Sequence, residues 1–341
     1  MNSGTAEDTR ELLALFTDVF GRGCGDDHPT LDRALWNTLR EVGAARLTAD
    51  EAVGGSGAGW TEAALLLGAA GAHAASLPLA ENDLLALPLL DAAGVTVAAD
   101  DTIRSVAVLD SSGTARDVPW ARDVDRIAVA WSLDGRWLVA DVPREKFSII
   151  ESTNHAREPR DHLRIDLGAL SGADVDSPVA ESLRYRGALA RSAVVAGALE
   201  RILDLVVEHT TGRTQFGRPL AKFQAVQRLA ADIATETALT RAAVDAAVAA
   251  VDRAGFDDPD VRFAVAAARS CSGHAAGSAA RNAHQAFGAI GFTEEHSLHR
   301  YTNRVLAWRS EYGSTRSWDE TLTAAVVAAG GKGLWAAITR T

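Results

Sequence analysis

The densest concentration of groups able to do chemistry in this 341-residue chain is the stretch Arg213-Thr-Gln-Phe-Gly-Arg-Pro-Leu-Ala-Lys-Phe-Gln-Ala-Val-Gln227. Arg213 and Arg218 carry permanently charged forks that match phosphate oxygens. Gln215 and Gln224 each offer two donors and an acceptor, and Phe216 and Phe223 offer flat apolar faces. Such a set suits an aromatic dinucleotide. The same residues also suit a plain connection between two helices, with Pro219 presetting a turn and the phenylalanines filling a core. Residue chemistry alone leaves both readings open.

The elements that must position this stretch follow from the periodicity around it. From about residue 9 to 94 the pattern is helical, over 11–16, 31–42 and an Ala/Leu-rich helix after Trp60, with loops at 21–25 and 54–59. The uncharged run 63–80 reads as a packed helix ending near Pro78, too diluted by small and polar residues to span a membrane. Between about 102 and 167 the texture becomes β-like, with runs at 105–109, 126–131 and 137–142 broken by Gly113 and Asp134-Gly135. Beyond Asp176 helices are expected near 182–211, 222–254, 259–289 and 317–339, punctuated by Gly255 and Pro259. The expected architecture is mainly α with a small β domain: a helical domain over 1–97, a short middle β domain over 98–178 and a helical bundle over 179–341.

Bulk properties bound the function. A hydrophobic content of 47% is ample for buried cores, and 45 acidic against 34 basic residues give a formal net charge of −11. That excess repels a nucleic-acid backbone and argues against such a partner. Cys24 and Cys271, the only cysteines, lack metal-ligand spacing, and the amino terminus has no basic region leading into an apolar one. A reducing cytoplasm fits. His296-x-x-His299 has no third ligand in a recognisable spacing and reads as polar surface, so no metal is expected. Gly54-Gly-Ser-Gly57 lacks the lysine of a phosphate loop and reads as a turn before Trp60. Cys271 reads as core and Glu294-Glu295 as a solvated helix start. Trp308, Trp318 and Trp335 suit either an apolar pocket or packing.

The 213–227 stretch resembles the Arg-x-x-Phe-Gly…Gln signature of acyl-CoA dehydrogenases, flavoproteins that oxidise the α–β carbon bond of a CoA thioester. It continues as Leu229-Ala-Ala-Asp232. His284-Gln-Ala-Phe-Gly-Ala-Ile-Gly-Phe-Thr-Glu-Glu295 resembles the family's second signature, Gln-x-x-Gly-Gly-x-Gly-(Phe/Tyr)-x-x-Glu, and follows in the family's order. Leu77-Pro-Leu-Ala-Glu81, after the Gly54–Gly57 turn and Trp60-Thr-Glu, is similar to the amino-terminal helical domain of shorter members. The middle region departs from the family: the Thr-Glu-Pro-x-x-Gly-Ser-Asp-like segment that embraces the flavin is missing, and Ser152-Thr-Asn-His-Ala-Arg157 is the nearest tract. A compact β domain of this kind resembles the shorter of the two unlike subunits of heteromeric acyl-CoA dehydrogenases of steroid side-chain breakdown, where the flavin lies at an interface.

The resemblance implies FAD as cofactor, an acyl-CoA substrate, an electron-transfer acceptor and a second acyl-CoA dehydrogenase-like subunit in a heterotetramer. It implies that Arg213 meets FAD phosphate, that Gln215 and Phe216 contact FAD across a subunit interface, that Gln224 and Gln285 anchor the nucleotide portion, and that Gly288 lets backbone approach closely. Ala289 stands where a second glycine is usual. CoA is polyanionic, and the arginines at 213, 218, 300, 304 and 309 could concentrate positive charge for it. For the base that removes the α-proton, the resemblance implies Glu311 in Trp308-Arg-Ser-Glu-Tyr-Gly-Ser-Thr315. It stands two residues before Gly313 where one is usual, and an ungapped alignment puts Tyr312 at that position. The other family position, within Arg186-Gly-Ala-Leu-Ala-Arg191, holds no carboxylate. The alternatives are a solvated Glu311 paired with Arg309 or Arg316 and a base on the partner, or a helical acyl-CoA-binding scaffold without flavin.

Overall fold

In the computed structural model, which describes residues 3–23 and 30–339, the chain gathers into two compact units. Cys24 lies outside the described residues. The first unit takes the described residues of 1–21, 64–75 and 188–341, and the second takes 22–63 and 76–187. In chain order, helices come first, then a small β region, then long helices, as the periodicity implies.

The first unit is helical. Its long elements are α5 (Ser177–Gly212), which enters from the second unit, α6 (Gln224–Ala254), α7 (Pro259–Phe287), α8 (Leu298–Trp308) and α9 (Thr315–Thr339). The junction signals act as expected. Gly255 closes α6 at φ 75° with its N–H on the Val251 carbonyl, and Asp258 caps α7 by accepting from Asp260 N ahead of Pro259. The helix α8, not anticipated from the periodicity, fills part of the stretch between the second signature and Glu311. On α7 the buried face is mostly alanine with Gly273 and Ser272, so neighbouring backbones come close, and Ser272 Oγ lies 3.1 Å from Ser192 Oγ of α5.

The helix α1 (Ser3–Gly23) and most of α3 (Trp60–Ala72) group with these helices, and for α3 glycines explain why. A Cβ on Gly197 of α5 would lie 1.9 Å from the Gly68 carbonyl oxygen, and one on Gly71 would lie 2.0 Å from that of Val194. No side chain larger than hydrogen fits there. Gly197→Val is expected to lower stability by about 1–3 kcal/mol, read as a lower midpoint in thermal unfolding.

The second unit holds α2 (Arg33–Glu41), α4 (Leu87–Ala92) and two sheets. One sheet runs β1 (Arg104–Leu109), β3 (Arg126–Leu133), β4 (Arg136–Pro143), β7 (Ala173–Val175). The other runs β2 (Thr114–Pro119), β6 (Arg160–Arg164), β5 (Ser148–Ile150). The strand pair β3–β4 turns at Asp134 (φ 51°) and Gly135 (φ 79°), the left-handed pair a two-residue hairpin requires. The Ser152–Arg157 tract forms a turn secured by Asn154 and Glu158, with an isolated bridge from Thr153 to Pro159.

The helix expected to reach Pro78 ends at Ala72, and Ala74 takes a left-handed φ of 51°. Pro78 instead precedes a π-helical stretch, Ala80–Ala86, accepting from Asn82 N at 2.9 Å. Three consecutive polar residues of this stretch, Glu81, Asn82 and Asp83, are buried. Asn82 ties the helices to the sheet, donating to Ala45 O at 3.3 Å and accepting from Arg104 N at 2.9 Å. Asp83 accepts from Thr48 N at 3.0 Å, and burial raises its carboxyl to about 7. The folded form therefore holds this proton more tightly than the unfolded chain. Its contribution is full below about pH 4 and is lost as pH rises toward 7. Asp83→Asn is expected to flatten that part of the stability profile, measured as denaturant midpoints from about pH 4.5 to 7.5, the window between the two ionisations.

Candidate functional site

The arginine-rich stretch forms a stiff projection. Arg213 N donates to His209 O and Leu220 N donates to Arg213 O, both at 2.9 Å, so the chain leaves α5 and folds back at once. Between them β8 (Thr214–Gln215) pairs with β9 (Arg218–Pro219), and the turn is made by Phe216 at φ 51° and Gly217 at φ 79°. Two left-handed residues are what a two-residue hairpin turn demands, and Gly217 meets that demand without strain. Phe216 does not, and a strained bulky residue at a tip is a mark of function. Its ring is 89% exposed. The Arg218 guanidinium stacks 4.1 Å above the Phe223 ring, which fixes the fork's plane.

Next along the chain α6 begins at Gln224. Its N-cap Phe223 has no side chain able to accept from the first-turn amides, so these remain available beside the positive end of a 31-residue helix. Arg213, Gln215, Arg218 and Gln224 are all exposed. The donor set of two guanidinium forks, two amides and free helix N–H groups fits a diphosphate with its flanking hydroxyls and base.

The second signature ends α7. Gln285 is exposed, and Gly288 follows at φ 67° with open space where a Cβ would be. A ring cluster joins the two signatures. The imidazole of His209, one helical turn before Arg213, stacks on Phe287 with centroids 4.1 Å apart, and His296 meets Phe287 edge-on at 4.5 Å. His284 stacks on Phe292 at 4.4 Å and its Nε2 lies 3.0 Å from Thr302 Oγ1. The sequence reading overlooked His209 and His284 and placed His296 and His299 on a polar surface. Both are half-buried: His296 is packed on Phe287, and His299 Nδ1 lies 2.7 Å from His296 O. A histidine four residues before Arg213, with a ring just before Gly288, was the available signal. Among the described residues no three His, Cys, Asp or Glu converge as metal ligands would.

Other arginines considered for a polyanion are divided. Arg309 is exposed, while Arg304 is buried and does not face solvent. Trp308 and Trp318 are core, and Trp335 is exposed.

Glu311 is held inside the first unit. Arg191 Nε donates to Glu311 Oε2 at 2.5 Å, with the two side chains 7% and 15% exposed. Arg309 and Arg316 are not the counter-ions: Arg316 pairs with Glu320 at 2.9 Å. Behind the pair, Arg269 is 1% exposed and donates through Nη2 to the carbonyls of Trp308 at 2.5 Å and Glu311 at 2.9 Å. Burial pushes the Arg269 guanidinium down to about 10. These contacts set a turn in which Tyr312 (φ 54°) and Gly313 (φ 115°) are left-handed, and the Arg191 guanidinium lies 5.8 Å from the Tyr312 ring centroid.

Comparison with known proteins identifies the family and the fold. Residues 178–326 match the acyl-CoA dehydrogenase C-terminal domain. The chain is 30% identical over 285 residues to the acyl-CoA dehydrogenase IpdE2 of Mycobacterium tuberculosis, covering 80% of each protein. Its fold superposes with a TM-score of 0.83 on a chain of the ChsE4–ChsE5 complex from Mycobacterium tuberculosis, at 24% identity over 96% of this chain and 99% of that one. A chain of the Tcur3481–Tcur3483 steroid ACAD G363A variant superposes at 0.84, with 21% identity over 95% and 98%. Coverage runs through both units. The chain belongs to the acyl-CoA dehydrogenase family.

Proposed function

We propose that this chain is a subunit of a FAD-dependent acyl-CoA dehydrogenase that forms the α,β double bond of a bulky CoA thioester, such as a steroid side-chain acid, in a mixed assembly with a second chain of the same family. The single observation that carries this reading is the convergence of Arg213, Gln215, Arg218 and the uncapped start of α6 at Gln224 on one exposed projection. Relatives whose names speak of a two-chain complex and a steroid enzyme support the assembly and the substrate class.

Desaturation removes a proton from the α-carbon and a hydride from the β-carbon, and FAD when bound supplies the hydride acceptor that no side chain can be. The work left to this chain is binding and orientation. Arg213 and Arg218 neutralise the diphosphate, and Gln224 and Gln285 hold the nucleotide portion. Phe216 projects an apolar face toward the neighbouring chain, and Gly288 leaves room for close approach. A soluble electron-transfer protein is the expected acceptor, and the cytoplasm the expected location. Among the described residues no helix is long and apolar enough to cross a membrane.

A second reading concerns the base, and the Arg191–Glu311 pair favours it. A general base must be free to take the proton it abstracts, whereas Glu311 is locked to one guanidinium beside a second. On this reading Glu311 is a counter-ion, and a carboxylate of the second chain takes the α-proton.

The test is the visible absorption spectrum and mass of the chain, purified alone and then with its companion. A yellow mixed oligomer with a colourless single chain is the expected result. A colourless mixed oligomer would leave only an acyl-CoA-binding or scaffold role.

A further inference from the structure

The ring cluster that joins the two signatures contains a titratable group which the binding reading above does not use. His209 sits in the last turn of α5, and its backbone carbonyl accepts from Arg213 N at 2.9 Å, so the two residues occupy successive turns on one helix face. Its ring lies flat on Phe287, the residue before Gly288, and 6.2 Å from His296. No other imidazole among the described residues stacks on a residue of the second signature while standing one turn from the arginine of the first. We propose that His209 is a proton-linked positioning residue of the cofactor site, whose imidazole becomes protonated when a diphosphate binds beside Arg213. The proposal rests on the cofactor reading given above.

The charges around His209 fix the sign. On its own helix stands Glu208, engaged by Arg201 at 3.1 Å, and Arg213 follows just past the helix end. From the segment ahead of α8 come His296 and the exposed Glu294 and Glu295. From α7 comes His284, and from α8 come His299, Arg300 and Tyr301. Burial first, then His296 and Arg213, hold the His209 imidazole below its ordinary value. Burial likewise lowers His284 and His296. Above neutrality the cluster is therefore uncharged. A diphosphate on Arg213 brings negative charge to the same place, offsets the arginine's repulsion and raises the imidazole's affinity for a proton. Binding then takes up a proton, and by linkage the ligand binds more tightly as pH falls from 8 toward 6. Stacking on Phe287 lets the same ring hold the hairpin base against the Gly288 turn in either charge state.

The test uses the chain assembled with its companion and stripped of flavin, with ADP-ribose, which carries adenosine and a bridging diphosphate that does not itself titrate between pH 6 and 8 (roughly the histidine range). Titration calorimetry in two buffers of unlike protonation heat counts the protons exchanged. The wild-type chain is expected to take up a fraction of a proton near pH 7 and to bind about threefold more tightly at pH 6 than at pH 8. His209→Phe, which retains the ring stack, is expected to abolish the uptake and flatten the pH dependence, and His209→Gln, which loses the stack, to abolish the uptake and weaken binding at every pH. Uptake that persists unchanged in both variants, or a wild-type Kd that does not move with pH, overturns the proposal. Arg213→Ala separates the two levels of inference. If it leaves ADP-ribose binding intact, or if the ligand binds no form of the mixed assembly, the cofactor reading fails and this proposal with it. If it weakens binding while the His209 variants match wild type, only the proton linkage fails.

Discussion

Arg213→Ala is expected to leave the chain folded and to weaken flavin binding by roughly 30- to 150-fold, because one or two charge-assisted hydrogen bonds to phosphate are worth about 2–3 kcal/mol. The fold should survive for a specific reason. The structural duties of residue 213 are met by its backbone, through Arg213 N on His209 O and Arg213 O under Leu220 N, and alanine keeps both. The exposed side chain contributes to no core. The measurement is flavin absorbance of the mixed oligomer after gel filtration, together with the Kd from flavin fluorescence. Arg213→Lys should recover only part of the loss, since an ammonium keeps the charge but not the planar fork. Wild-type occupancy in Arg213→Ala would show that the exposed projection serves an interface and not a cofactor.

Much of this site was legible because its signals are local. Turn chemistry at Phe216-Gly217, the guanidinium spacing of Arg213 and Arg218, and the start of α6 at Gln224 depend on residues within one short stretch. So do the strands: β1 and β3 are short apolar runs buried almost throughout, and β3 and β4 break where Asp134-Gly135 requires them to. Gly255 and Pro259 likewise end one helix and open the next. Three features were not legible, each for a physical reason. Pro78 reads as a helix stop, yet the chain had already turned at Ala74, and proline is well tolerated at the beginning of the next helical stretch. The half-buried state of His296 depends on Phe287, which only folding brings beside it. The counter-ion of Glu311 lies 120 residues away in the chain, and no periodicity encodes a pairing of that kind.

The pairing of Glu311 also bears on how a mixed assembly divides its labour. A carboxylate paired with the buried guanidinium of Arg191, with that of Arg269 on the backbone carbonyl of the same residue, has a structural duty before any other, because these positive charges lie in a space that water does not reach freely. Removing the negative charge takes away the carboxylate that Arg191 engages, and breaking a buried pair from one side is worth about 3–5 kcal/mol. A base in a dehydrogenase has the opposite profile. It is released to meet substrate, and its loss slows chemistry without unfolding anything.

Glu311→Gln distinguishes these profiles within one variant. The expected result is a chain whose unfolding midpoint drops by several degrees, in line with a loss of about 3 kcal/mol or more. Its assembled, flavin-loaded complex should still have its flavin bleached by acyl-CoA within about threefold of the wild-type rate. The reverse result, a midpoint close to wild type with bleaching slowed about a hundredfold or more, would establish Glu311 as the base and require it to leave Arg191 during turnover. A variant that removes both partners guards against misreading a damaged fold. Arg191→Met with Glu311→Leu replaces the ion pair by apolar groups of comparable size, so it should regain stability relative to Glu311→Gln. If that double variant, stable and yellow in the mixed oligomer, still bleaches at the wild-type rate, the proton is being taken by a carboxylate this chain does not own.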